Sequence, residues 1–232
     1  MNFKIDTHMH TIPSGHAYST IREMAEMARE HGMDAIIFTE HAPTMPHACG
    51  EYYFENSKIL PRERWGIQTF FGAELNILNE AGEIDLPEKI LKKLDFMIAS
   101  IHTPCFQCEK TVEKVTNAVI NAMRNPYVNA IGHPDDSRFP LDYERVVKAA
   151  KETGTLLEVN NSSLRPENNR ENAEENLRTM LSLCKKYGVF ITTGTDSHLD
   201  LDAGKFEHVE KILQEWKDGE ATEESFIELV GT

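Results

Sequence analysis

The sequence predicts an α/β barrel, a TIM-like (β/α)7 arrangement of parallel strands with helices outside. Three observations predict it. Short apolar runs alternate with helical patterns along 232 residues, and repeated β-α units demand parallel strands joined by right-handed crossovers. Seven units of roughly 30 residues each take up nearly the whole chain, and a length near the usual ~250 residues of such barrels favours closure over an open sheet. Finally, each predicted strand ends in a polar or metal-competent residue, and a parallel barrel gathers those ends on one rim. No linker or composition break divides the chain, so 1–232 is expected to be a single domain.

The elements follow in order. "NFKIDTH" is strand-like and runs into His8 and His10. "STIREMAEMAREHG" is a helix with Thr20 as N-cap, Glu23 as its capping-box partner and Gly32 as the stop. Its Ile21, Met24, Ala25 and Ala28 fall at helical spacing. "DAIIFTEH" has a buried-strand pattern, and an irregular segment from Ala42 to Trp65 follows. The remaining strands are "TFFGAELNIL", "DFMIASIH", "VNAIGHP", "TLLEVNNSS" and "VFITTGTDSH". The helices after them are "LPEKILKKL", "TVEKVTNAVINAMRN", "LDYERVVKAAKETG", "ENAEENLRTMLSLCKKYG" and "KFEHVEKILQEWKDG". The tail "ESFIELVG" reads as a short helix or turn, and no eighth strand is expected.

Composition narrows the function classes. Hydrophobic residues are 40% and charged residues 27% of the chain, as in globular proteins. No apolar run reaches the length of a membrane span, and no basic-then-apolar leader opens the sequence, so a cytoplasmic protein is expected. The four cysteines, Cys49, Cys105, Cys108 and Cys184, do not form a disulfide-scaffold pattern. Cys105 and Cys108 make a lone C-x-x-C, for which two reduced bystander thiols are the simpler account. A net charge of −14 and the lack of basic runs argue against nucleic acid as a partner. A small anionic substrate stays compatible if bound cations concentrate positive charge in one pocket.

The strand ends carry the chemistry. His8 and His10 are two apart, so extended backbone aims both at one point. The second strand ends in Glu40 and His41, the third contains Glu74, the fourth and fifth end in His102 and His133, the sixth in Asn160 and Asn161, and the last in Asp196 and His198. His16 follows the first strand. Taken singly, a strand-end histidine is more often structural than a ligand. Seven histidines with two carboxylates on one rim would be costly to bury without a cation, and neutral imidazoles and carboxylates suit zinc, manganese or iron. Of the other histidines, His31 and His208 are expected on helix surfaces, and His47 lies in a loop that could reach the site.

The segments "DTHMHT", "TEH", "GAELN", "IASIHTP", "IGHP", "EVNNSS" and "GTDSH" together resemble the PHP (polymerase and histidinol phosphatase) superfamily, in particular its small stand-alone YcdX-type phosphatases. The resemblance covers nearly the entire chain. It implies a distorted seven-stranded barrel and three divalent metal ions, most often zinc. It further implies His8, His10, Glu74 and Asp196 around one ion, Glu74, His102 and His133 around a second, and His16, His41 and His198 around the third. The implied activity is a metal-dependent phosphatase acting on a small phosphomonoester, with a metal-activated hydroxide as nucleophile and no catalytic side chain assigned beyond the cluster. A phosphodiesterase or 3′–5′ exonuclease is the alternative, followed by a non-catalytic metal-binding module.

Several roles stay open at this level. Asp6 could hydrogen-bond a ligand imidazole or be a solubilising strand-end charge. Asn160 and Asn161 could order ligands or make turns. Arg138, Arg165 and Arg170 could clamp phosphate, with solvated surface charges as the commoner outcome. Physiological substrate, leaving-group acid and oligomeric state are not encoded in any motif.

Overall fold

A computed structural model describes residues 3–219 of the chain. Seven strands form the parallel frame: β1 Ile5–Met9, β2 Ala35–His41, β4 Ile67–Asn76, β5 Met97–Ser100, β6 Ala130–Ile131, β7 Leu156–Asn160 and β8 Ile191–Gly194. They lie in the order β1-β2-β4-β5-β6-β7-β8, and every neighbouring pair is parallel. The two-residue β3, Glu63–Arg64, is an antiparallel flap on β4. This eighth strand is absent from the sequence expectation, because two exposed charged residues carry no strand pattern.

The sheet nearly closes into a distorted barrel, and the closing bonds lie at its C-terminal rim. The Asp196 N–H donates to the His8 carbonyl at 2.8 Å, and the His10 N–H donates to the Ser197 carbonyl at 2.9 Å. Lower down, the seam is bridged by side chains: the Thr7 and Thr192 hydroxyls lie 2.9 Å apart. The backbone that closes the barrel is therefore the backbone carrying the histidines and aspartate of the first and last strands.

Five helices cover the sheet: α1 Ile21–Glu30, α4 Val112–Met123, α5 Tyr143–Thr153, α6 Ala173–Tyr187 and α7 Glu207–Gly219. Two short ones, α2 Glu51–Glu55 and α3 Glu88–Leu91, lie beside them. The α1 start has the expected capping box, with the Glu23 N–H on the Thr20 hydroxyl and the Thr20 N–H on Glu23. Asp142 caps α5 by accepting from the Arg145 N–H at 3.1 Å. Each long helix turns one apolar stripe inwards, as Met24, Ala25 and Ala28 do in α1 and Val115, Ala118, Val119 and Ala122 in α4. These stripes pack on Ile36, Phe38, Phe71, Leu75 and their neighbours in one continuous core. No helix among the described residues is long and apolar enough to cross a membrane.

Two elements are shorter than their patterns suggest. "LPEKILKKL" keeps four helical residues, because the chain must re-enter the sheet at Met97. "VNAIGHP" keeps two paired residues, because the backbone turns to a positive φ of 28° at His133. The segment 42–65 contains α2, a 3-10 turn at Ser57–Ile59 and β3, and its Cys49 N–H is tied to the Pro13 carbonyl at 2.8 Å. The tail "ESFIELVG" lies outside the described residues.

One glycine is imposed by the site itself. A Cβ on Gly194 would stand 2.3 Å from the His8 Cβ and 2.4 Å from Glu158 Oε1. Gly194→Ala is therefore expected to cost about 1–3 kcal/mol through overpacking. Thermal unfolding checks this, and an unchanged midpoint would mean that β1 and β7 can move apart.

Candidate metal centre

The centre is built around a carboxylate that water does not reach. β4 pairs with β2 so that Glu74 stands level with His41, and Glu74 is fully buried. Five imidazoles converge on it. Oε1 faces His133 Nε2 at 2.9 Å, His102 Nε2 at 3.2 Å and His8 Nε2 at 3.4 Å. Oε2 faces His41 Nδ1 at 2.7 Å and His10 Nε2 at 3.4 Å. Asp196 adds a second carboxylate, with Oδ1 at 3.3 Å from His10 Nε2 and 3.7 Å from His8 Nε2. His16 and His198 stand at the open side with their Nε2 atoms 3.0 Å apart. The His16 ring stacks on those of His41 and His198 at centroid distances of 4.8 and 4.7 Å. All nine residues singled out from the sequence thus occupy one continuous cluster.

Local backbone geometry places several of them. After β1 the chain makes a 3-10 turn, Ile12–Ser14, and Gly15 adopts φ +84° so that His16 returns towards the rim. A side chain at Gly15 would collide with the His47 carbonyl at 2.3 Å. His133 and Asp196 have φ values of +28° and +53°. Positive φ is uncommon away from glycine, and strain of this kind gathers where function over-determines the backbone.

Behind the imidazoles lies a layer of groups that holds them. His8 Nδ1 meets Glu158 Oε1 at 2.8 Å, and Glu158 Oε2 accepts from the His133 N–H at 2.7 Å. His102 Nδ1 meets Asn76 Oδ1 at 2.7 Å, while the Asn76 amide donates to Asp85. His10 Nδ1 lies 3.0 Å from the Ser14 hydroxyl. Ser14 donates its single proton to Glu40 and accepts from the His41 N–H, so it receives the His10 Nδ1–H. For neutral imidazoles the network thereby sets the tautomer in which Nε2 of His8, His10 and His102 offers a lone pair to the centre.

The electrostatics follow from burial and mutual charge. Burial alone would raise the pKa of Glu74, but His102, His8 and His41 hold it well below the usual carboxylate range. Asp196 is likewise held low against burial by His8 and Arg170. Burial keeps His10 well below its ordinary value, helped by His41 and His198. The same causes lower His16 to about 4. His8 runs the other way, because Glu158, Glu74 and Asp196 together outweigh its burial.

This donor set fits divalent ions. His8 Nε2 and His10 Nε2 lie 3.1 Å apart. His41 Nδ1 and Glu74 Oε2 are buried and 2.7 Å apart, yet neither has a hydrogen-bond partner. A buried imidazole nitrogen and a buried carboxylate oxygen that face each other without a hydrogen bond suit a shared cation. Among the described residues three triads could hold one: His8, His10 and Glu74; His10, His41 and His198; and His41, Glu74 and His102. His10, His41 and Glu74 each belong to two of them, so proximity alone does not divide the cluster into separate sites.

The other sequence candidates separate cleanly. Asp6 is buried but touches no imidazole side chain; it accepts from the Thr195 N–H at 3.0 Å and the Gly204 N–H at 3.1 Å and so anchors β1 to the loops beyond β8. Asn160 bridges Glu158 and Asp196 at 3.1 and 3.3 Å. Asn161 instead accepts from the His208 and Val209 N–H groups at the start of α7. Arg138 pairs with Asp136 and Arg165 with Asp202. Arg170 is no surface charge: it donates to Asp196 Oδ2 at 2.8 Å. His31 is half-buried and bound to the Ala203 carbonyl at 2.7 Å, and His208 is also half-buried, so neither is a plain surface residue. His47 is exposed, with its backbone against Gly15. All four cysteines are free thiols. Glu158 escaped the sequence reading, which attended only to strand ends. Its signal was a carboxylate inside the apolar run "LLEVN", costly to bury unless paired.

Comparison with known proteins places this geometry in context. The family described as PHP domain matches residues 6–230. A protein of Acetivibrio thermocellus described as "Probable phosphatase" is 46% identical over 215 residues, covering 93% of this chain and 88% of its own length. A Clostridium novyi protein of the same description is 45% identical over 213 residues, covering 92% and 86%. The fold is also that of Lactococcus lactis histidinol phosphate phosphatase, whose crystal structure holds zinc, L-histidinol and phosphate. The TM-score is 0.64 at 21% identity, covering 91% of this chain and 93% of that one.

Glu158 gives this centre a direct test. Its two oxygens serve two donors, His8 Nδ1 and the His133 N–H, and a glutamine has one acceptor oxygen. Glu158→Gln is expected to weaken metal retention about 10–100-fold, as losses of such supporting bonds do. Chelator competition measures it, and wild-type retention would show that His8 does not depend on Glu158.

Proposed function

The chain belongs to the PHP domain family, and from that premise we propose that it is a metal-dependent phosphatase that hydrolyses a small phosphomonoester. The observation that carries the proposal is the convergence of five imidazoles on the buried Glu74 carboxylate, with Asp196 beside them. We assign three divalent ions, with zinc preferred for an imidazole-rich donor set and manganese or iron as substitutes. His8, His10, Glu74 and Asp196 would hold the first, Glu74, His102 and His133 the second, and His16, His41 and His198 the third. Glu74 is then the shared ligand, which its two-sided contacts support.

Bound ions would supply positive charge that acidifies water and neutralises the oxygens of a phosphoryl group. The chain does the rest. Glu158, Ser14 and Asn76 keep three imidazoles in the orientation that presents Nε2. Glu74 and Asp196 supply the permanent negative charge that holds cations in a buried place. His16 is exposed and His198 half-buried, so a phosphate enters from their side, where the cluster opens to solvent. The net charge of −14 disfavours a polynucleotide along the rim and suits a small anion that meets the cations directly. A cytoplasmic setting is part of the proposal and accords with the free cysteines.

The test compares p-nitrophenyl phosphate with the p-nitrophenyl ester of thymidine monophosphate on metal-reconstituted protein. The monoester is expected to turn over at least about ten-fold faster, a difference of roughly 1.4 kcal/mol in barrier. A dominant diester rate would replace the phosphatase by a phosphodiesterase. Glu74→Gln is expected to lose at least one ion per chain by elemental analysis together with most activity, and full retention of both would refute its bridging role.

A further inference from the structure

Asp196 uses its two oxygens differently. Oδ1 faces the imidazoles of His10 and His8. Oδ2 receives Arg170 at 2.8 Å and the Asn160 amide at 3.3 Å. The guanidinium is fixed at a second nitrogen, which donates to Asn160 Oδ1 at 2.9 Å and to the Ser163 hydroxyl at 2.7 Å. Asn160 also reaches Glu158 at 3.1 Å, so Arg170, Asn160, Glu158 and Asp196 form one connected layer behind His8. The loop bearing Arg170 is held from the other side, where the Glu171 N–H donates to Asp136 at 3.2 Å and the Ser137 N–H to the Glu171 carbonyl at 2.9 Å.

We infer that Arg170 is a positioning residue that occupies Oδ2 of Asp196 and restricts this carboxylate to one donor oxygen, Oδ1, towards the cations, with Asn160 and Ser163 holding the guanidinium there. The inference rests on the assignment of Asp196 as a metal ligand. It makes Arg170 unavailable as a direct phosphate clamp. Without it Asp196 can rotate, present both oxygens, and hold its ion in the wrong geometry.

The experiment follows ion release from zinc-loaded protein against increasing EDTA, with p-nitrophenyl phosphate kinetics run in parallel. Arg170→Met is expected to release an ion at about ten-fold lower EDTA, at the lower edge of the loss typical of outer partners. Its kcat should fall while KM stays near wild type. Arg170→Lys, which keeps the charge and one donor, should recover most of the retention. Wild-type ion retention in Arg170→Met overturns the inference. So does a raised KM with unchanged kcat and metal content, which would make Arg170 a substrate contact. If Arg170→Met does not fold, Arg170→Gln takes its place, and wild-type ion retention in that variant decides against it. Ion retention is scored without turnover, so a wild-type protein inactive on phosphoesters would sink the phosphatase proposal and leave this inference standing on the EDTA curves.

Discussion

The Glu74 carboxylate is the constraint from which the rest of the structure follows. A fully buried carboxylate needs compensating positive charge or donors. Glu74 has five imidazoles within 3.4 Å and no hydrogen bond at Oε2. Neutral imidazoles that turn lone pairs towards a carboxylate repel it, and five protonated ones repel one another. Divalent ions between them would resolve both conflicts. Glu74 sits on β4, well inside the sheet order and level with His41, and this is the place from which it can meet ligands on both sides.

Barrel closure and site assembly are the same event. The hydrogen bonds that join the two ends of the sheet use the His8 carbonyl, the His10 and Asp196 N–H groups and the Ser197 carbonyl. Gly194, which allows β8 to approach β1, leaves no room for a side chain between His8 and Glu158. Folding therefore brings the candidate ligands from residues 8–10 and 196–198 together as a consequence of pairing the first and last strands. Ion binding in turn would stabilise the seam, because a site formed only in the folded state links affinity to stability.

Much of this was legible in the sequence. The β/α alternation gave the barrel, and metal-competent residues at strand ends pointed to the rim, because both follow from periodicity and from the parallel topology. The capping box at Thr20 and Glu23 was readable as a local pattern. What escaped depends on contacts distant along the chain. Glu158 lies mid-strand and acquires its role from His8, 150 positions away. Arg170 lies in a polar loop, where nothing separates it from Arg138 or Arg165 until the fold sets it against Asp196. The flap β3 has only two exposed charged residues and no period to read. Asp6 had the right position for a metal-site partner, but its orientation towards Thr195 and Gly204 is decided by packing.

The central claim is a cluster of three ions organised by Glu74, and the most direct measurement is anomalous X-ray diffraction at the zinc edge on crystals of the zinc-reconstituted protein. Three anomalous peaks are expected among the nine side chains, two of them beside the Glu74 carboxylate and the third between His16, His41 and His198. A single peak, or peaks that leave Glu74 unligated, would contradict it.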